Sequence, residues 1–229
     1  MDRYAQFCPT AKATGVIGRR WMLLALRELL CGNHQLNDIH RGVPKMSRTL
    51  LVKRLTELEE DGLIERRQSA GGHSEYHLTP AGEALRPIVI ELGNWGKRWV
   101  GNGVSQSDLD AGLLMWDIQR RIERERLPGR RVVVHFRFTD APQKYRNFWL
   151  VLEKDKVDLC LKDPGFEPDL YVTSDLATFT RIWLGDIALN RALRDGNLSV
   201  SGARQLRRQF PHWLGLNLFA GVARERPTS

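Results

Sequence analysis

Apolar residues recur at helical spacing through most of the first hundred positions and alternate with polar ones in several runs of the last hundred. Trp21–Leu30 is apolar around most of its circumference, which predicts a buried helix with Gly32 as its left-handed stop. A short helix over Gln35–Arg41, with Leu36 and Ile39 inward, is broken by Gly42-Val43-Pro44. Ser47 then caps a helix in which Leu51, Leu55 and Leu58 form one apolar stripe while Thr49, Val52, Lys53 and Thr56 fall opposite. Leu63–Arg67 and Glu75–Leu78 read as short strands, joined by a glycine-bearing turn over Gln68–Ser74.

Gly101–Ser107 is small and polar and reads as a linker, which divides the chain into domains at 1–100 and 108–229. Ser107 caps a helix that turns Leu109, Leu113, Trp116 and Ile118 inward and leads to the charge run Arg120–Arg126, with a stop at Pro128-Gly129. Val132–Phe138 alternates with Val132, Val134, Phe136 and Phe138 on one face. Phe148–Leu152 and Val157–Leu161 form a hairpin, Leu170–Thr173 adds a strand, and Asp175 caps a helix over Leu176–Leu184. A second helix, a strand over Leu198–Gly202, an Arg-rich helix from Ala203 and an apolar segment Trp213–Val222 complete the chain. The expected class is mainly α followed by α+β, the second part an antiparallel sheet with helices on one face.

Charge does not separate the halves. Of 35 Lys plus Arg and 27 Asp plus Glu, residues 1–100 hold 15 and 11, so each half carries the same excess of +4. The arrangement within elements is more telling. In the Ser47 helix, basic and hydroxyl side chains occupy the first two turns and acids the last, the reverse of what the helix dipole favours. A DNA groove would supply the missing negative charge at the N-terminal end. A solvated helix with Lys53 paired to Glu57 at i,i+4 is the alternative. Three helices and a hairpin bearing Arg66, Arg67 and His73 make a winged helix-turn-helix. Ser47, Arg48, Thr49, Val52 and Lys53 are then the groove-facing residues.

The motifs Cys8-Pro9, Ile17-Gly18-Arg19-Arg20-Trp21, Leu26-Arg27-Glu28-Leu29, Arg54-Leu55 with Glu57-Leu58-Glu59, Gly62-Leu63-Ile64 and Thr79-Pro80 with Gly82 resemble the HxlR family of bacterial transcription regulators over about residues 7–100. Leu36 and Arg48 depart from the family's usual Phe and Pro. The resemblance implies a homodimer on a two-fold operator in duplex DNA. Dimerisation would use the N-terminal helix and a long helix from Pro80, inside a Thr79 cap, through Leu92 to Trp95 and Trp99. Those three residues could instead pack on their own domain. It also implies that Cys8 occupies a position at which some members sense oxidants, set against the plainer reading of a small buried hydrophobe.

Pro168–Leu176 leading into Phe179, Trp183-Leu184-Gly185-Asp186 and Gly196–Gly202 resemble the sterol carrier protein 2 fold in pattern and order over about residues 108–222. That resemblance implies a tunnel between sheet and helices for a small hydrophobic or lipid-like effector. The expected lining is Trp116, Phe136, Trp149, Phe179, Trp183 and Phe219, and for any one of them plain core is the reading favoured over pocket wall. The three cysteines and six histidines show no metal spacing, and no catalytic triad, P-loop or dinucleotide turn is present. No metal, no other cofactor and no catalysis are expected. Without a signal-like or membrane-length apolar run, the expected location is the cytoplasm and no membrane partner is expected.

Overall fold

The structure, a computed structural model, describes residues 4–69, 71–100 and 103–225. Ala70 of the hairpin turn and Gly101 and Asn102 of the expected linker lie outside the described residues. The chain divides into two compact units, Met1–Asn94 and Trp95–Ser229.

In the first unit the order is α1 (Pro9–Ile17), α2 (Met22–Leu30), α3 (Leu36–Gly42), α4 (Arg48–Glu60), β1 (Ile64–Gln68), β2 (Ser74–Leu78) and α5 (Pro80–Glu83). Met22, Ala25, Ile39, Leu51, Leu55 and Leu58 are fully buried in one core, each where the 3.6-residue period places it. Ser47 Oγ accepts from Leu50 N at 3.2 Å, and Gly32 adopts a φ of +86° after α2. β1 and β2 pair antiparallel, Ile64 opposite Leu78 and Gln68 opposite Ser74.

The expected long helix is two. Thr79 does cap it, accepting from Gly82 N at 3.2 Å, but α5 ends at Glu83 and α6 begins at Arg86 and runs to Trp99. Pro87 accounts for the break: it has no N–H for the carbonyl of Glu83 and is at home only in the first turn of a new helix. Gly82 sits so close to the chain that a Cβ there would lie 2.1 Å from the Leu63 carbonyl oxygen.

The second unit has α7 (Ala111–Gln119), β3 (Val132–Phe138), β4 (Asn147–Leu152), β5 (Val157–Cys160), β6 (Leu170–Ser174), α8 (Leu176–Trp183), α9 (Leu189–Arg194), β7 (Leu198–Gly202) and α10 (Arg204–Trp213). Two local expectations are corrected. Asp110, not Ser107, caps α7, accepting from Leu113 N at 2.9 Å. The charge run does not continue that helix, and only Arg124–Arg126 forms a separate 3-10 turn.

The five strands lie in the order β5-β4-β3-β6-β7. All neighbours are antiparallel except β3 and β6, which are parallel, so the sheet is mixed rather than antiparallel. Asp169 sets that parallel pair: its N donates to Val133 O at 2.8 Å and its Oδ2 accepts from Val133 N at 2.9 Å. Val132, Val134, Phe136 and Phe138 face a core completed by Met115 of α7, Phe179 and Trp183 of α8, Ala192 of α9 and Phe210 and Trp213 of α10.

Candidate nucleic-acid interface

With Leu51, Leu55 and Leu58 inward, α4 turns Thr49, Val52 and Lys53 outward, and all three are exposed. The expected competitor, a Lys53–Glu57 pair, does not form. Glu57 instead takes Arg54 at 2.6 Å and Arg19 at 3.1 Å. Burial alone would raise the Glu57 carboxyl, but hydrogen bonds from Arg54 and Arg19 outweigh it and hold the group below the ordinary carboxylate range. Arg54 also donates to Arg20 O at 3.1 Å, which ties α4 to the turn before α2. Lys53 makes no ion pair among the described residues.

Arg48 is less free than its position suggests, since its Nη2 donates to Asn37 Oδ1 on α3 at 2.8 Å. On the wing, Arg66 reaches Glu59 at 3.3 Å and lies over the Tyr76 ring at 5.4 Å. Arg67 pairs with Glu65. These pairs are largely exposed and individually weak, so phosphates can replace the carboxylates. His73 is exposed beside the turn and its N donates to Ser69 Oγ at 3.2 Å. The wing is anchored at its base: Tyr76 N donates to His34 O at 2.8 Å, His34 Nδ1 to Tyr76 O at 3.0 Å, and the His34 and His77 rings stack at 4.3 Å.

Sequence reasoning missed the buttress beneath this surface. Glu28 is fully buried, held by Arg27 Nε at 2.9 Å and Asn33 Nδ2 at 2.8 Å, while Arg27 also donates to Gly42 O at 2.9 Å. A Cβ on Gly42 would stand 1.9 Å from Glu28 Oε2. The sequence signals were the Arg27-Glu28 pair within an apolar helix and a glycine at the end of the next one.

Along α6, Ile88, Leu92, Trp95 and Trp99 fall on one stripe and are 44–56% exposed, a large apolar face for one helix. Cys8 stands at the N-cap position of α1, without a side-chain capping bond, and is half-buried. Backbone N–H groups of Ala11 and Thr10, with the Thr10 hydroxyl, hold its thiol below the ordinary value.

In the second unit Phe136, Phe179 and Trp183 of the six expected lining residues share one buried core, which Trp116, Trp149 and Phe219 do not join. Phe136 and Phe179 meet edge to face at 5.7 Å and Phe210 lies 6.2 Å from Phe136, filling the interior. Trp183 is buried and donates to Asp117 Oδ2 at 3.0 Å. Trp116 is buried and Phe219 half-buried. Trp149 pairs in register with His135 and stacks on its ring at 4.8 Å, so it stands on the opposite sheet face from Phe136. One open cleft of about 550 Å³ is lined by Arg181, Asp186, Ile187, Val222 and Arg224, among others. Another of about 460 Å³ lies at Arg120–Glu125 and Gly215. None of the six lines either cleft. Among the described residues there is no His, Cys, Asp and Glu cluster fit for a metal, and no helix is long and apolar enough to cross a membrane.

Three helices, a capped and outward-facing fourth, and a two-stranded wing define a winged helix-turn-helix protein. Residues 16–104 match the HxlR-like helix-turn-helix family. The HTH-type transcriptional regulator YvaP of Bacillus subtilis, itself uncharacterized, is 33% identical over 99 residues, 42% of this chain and 92% of that protein. An uncharacterized HTH-type transcriptional regulator of Methanothermobacter thermautotrophicus is 35% identical over 100 residues, 43% of this chain and 75% of the relative. Among solved structures, the reduced form of the transcriptional regulator YodB from B. subtilis shares 29% identity over 40% of this chain and 93% of that one, with a TM-score of 0.36. The chain belongs to the HxlR-like helix-turn-helix family.

Proposed function

We propose that this protein is a homodimeric transcription regulator that binds a two-fold operator in duplex DNA. Thr49, Val52 and Lys53, flanked by Ser47 and Arg48, enter the major groove, and Arg66, Arg67 and His73 follow the backbone or minor groove. The observation that carries this reading is the outward face of α4, where Lys53 is left without an acid because Arg54 and Arg19 occupy Glu57. The Leu92, Trp95 and Trp99 face of α6 is the subunit contact, since an exposed aromatic stripe of this kind suits an interface. A gel-shift titration against the DNA upstream of its own gene tests the reading. Retarded, salt-sensitive complexes support it, and absence of binding at low salt overturns it.

The second domain is read as a non-catalytic, sterol carrier protein 2-like effector module in a cytoplasmic regulator. A small hydrophobic effector entering between sheet and helices parts the Phe136–Phe179 contact and lowers operator affinity by its preference for one dimer geometry. Coupling of about 1–3 kcal/mol suffices. Native mass spectrometry of protein taken from cells reads dimer and effector together, and a dimer without bound mass opposes this module.

A second reading has its own observation. Cys8 sits at the start of α1 with its thiol lowered by hydrogen bonds from Ala11 and Thr10, so oxidation there is a rival signal. DNA release by diamide in the wild type but not in Cys8→Ser supports it, and release in both opposes it.

A further inference from the structure

Between Asp195 and Glu225 the chain has no acidic residue, and Arg204, Arg207, Arg208 and His212 fall within that stretch. α10 buries Leu206, Phe210 and Trp213 on one side. Helical spacing places the three arginines and His212 on the other, where all four are exposed.

Elsewhere arginines are mostly matched: Arg41 by Asp38, Arg66 by Glu59, Arg86 by Glu83, Arg130 by Asp169 and Arg131 by Glu153. Arg204, Arg207 and Arg208 make no side-chain ion pair or hydrogen bond among the described residues. They also occupy the first turns of α10, where no acidic residue answers the helix dipole, so three like charges and the positive helix end lie within roughly 6 Å of axial rise. The neighbouring turn Arg124–Arg126 packs on α10, with Glu123 N donating to Trp213 O at 2.9 Å. That places Glu123 at the C-terminal end of α10, away from the arginine turns.

With no ion pair to these three arginines among the described residues and no acid in the first turn of α10, this exposed positive surface suits an external polyanion. We infer that the exposed face of α10 docks the phosphate backbone of duplex DNA beside the operator, adding sequence-independent contacts to those of the winged helix. This inference rests on the DNA-binding reading. Duplex DNA is favoured over an acidic membrane because all the large apolar side chains of α10 are committed to the core, leaving none to enter lipid, which an interfacial helix requires. Tethering to a DNA-bound winged helix makes the second contact intramolecular, so modest intrinsic affinity is enough.

The test uses the full chain and two duplexes from the region upstream of its own gene, one trimmed to the operator and one with flanking DNA on both sides. Each neutralised phosphate contributes about 0.9 to the slope of log affinity against log salt. The wild type should show a slope steeper by about 2–3 per engaged α10 on the flanked duplex. Arg204→Gln/Arg207→Gln/Arg208→Gln should abolish that difference while leaving trimmed-operator affinity within about two-fold. An unchanged slope in the triple variant, with DNA binding intact, overturns this inference alone, whereas no DNA binding by the wild type overturns the DNA-binding reading with it. Capture of the wild type, but not the triple variant, by phosphatidylglycerol vesicles without any change in DNA slope overturns it in favour of a membrane.

Discussion

Lys53 and Glu57 stand one turn apart on α4 and do not pair, because Arg54 reaches Glu57 at 2.6 Å and Arg19 at 3.1 Å. The acid is spent on joining α4 to the α1–α2 turn, and Lys53 is left to the solvent. Lys53→Ala should therefore leave urea stability unchanged while weakening operator binding and reducing the salt slope by about 1 per protomer. Thr49→Ala should shift sequence preference more than overall affinity, read by competition among operator variants. Equal salt slopes for wild type and Lys53→Ala would remove Lys53 from the interface.

Gly42→Ala tests the buttress. The added Cβ must expel the Glu28 carboxylate from Arg27 and Asn33, and overpacking of this kind costs about 1–3 kcal/mol. Urea unfolding should show the loss with its slope m unchanged. A variant as stable as the wild type would show that the Glu28 network is dispensable.

Trp95→Ser/Trp99→Ser should convert the dimer to monomer by sedimentation velocity, with operator affinity falling at least ten-fold because two half-sites are no longer held together. The residues are exposed in the isolated chain, so the fold should survive, as far-ultraviolet circular dichroism would report. A variant that remains dimeric would move the interface elsewhere.

Asp186 is predicted to make the second unit acid-sensitive. Burial would raise its carboxyl, yet Lys97 and Arg224 hydrogen-bond to it and hold it below its ordinary value. A depressed folded-state value means that the stabilisation is complete above about pH 4, the unfolded value, and is lost as pH falls through the folded one. Asp186→Asn should lower stability at pH 7 by roughly 1–3 kcal/mol, because Lys97 loses its charged partner, and should flatten the pH dependence below 4. A mutant with the wild-type acid profile would contradict this.

What the sequence made legible was whatever repeats locally. The stripe of Leu51, Leu55 and Leu58, the caps at Ser47, Thr79 and Asp175, and the wing strands all follow from spacing within a few residues. The α5–α6 break was written at Pro87 but masked by an apolar period that runs across it. Trp149 was misplaced because alternation assigns faces within one strand only, and the face a strand turns to its neighbour depends on register, here Trp149 opposite His135. The parallel partner of β3 was equally hidden, since periodicity says nothing about direction. The Glu28 network went unread because it closes on Gly42, fourteen residues away and on another helix.

The parallel pairing of β3 with β6 also orders the birth of the molecule. Val134 has no partner on that side until Leu170 exists, and at about 5–20 residues per second a ribosome takes roughly 2–6 s to cross the 31 residues between Phe138 and Leu170. The β1–β2 wing needs only a local turn. The winged helix can thus emerge folded while the central strand of the second domain still lacks its parallel neighbour.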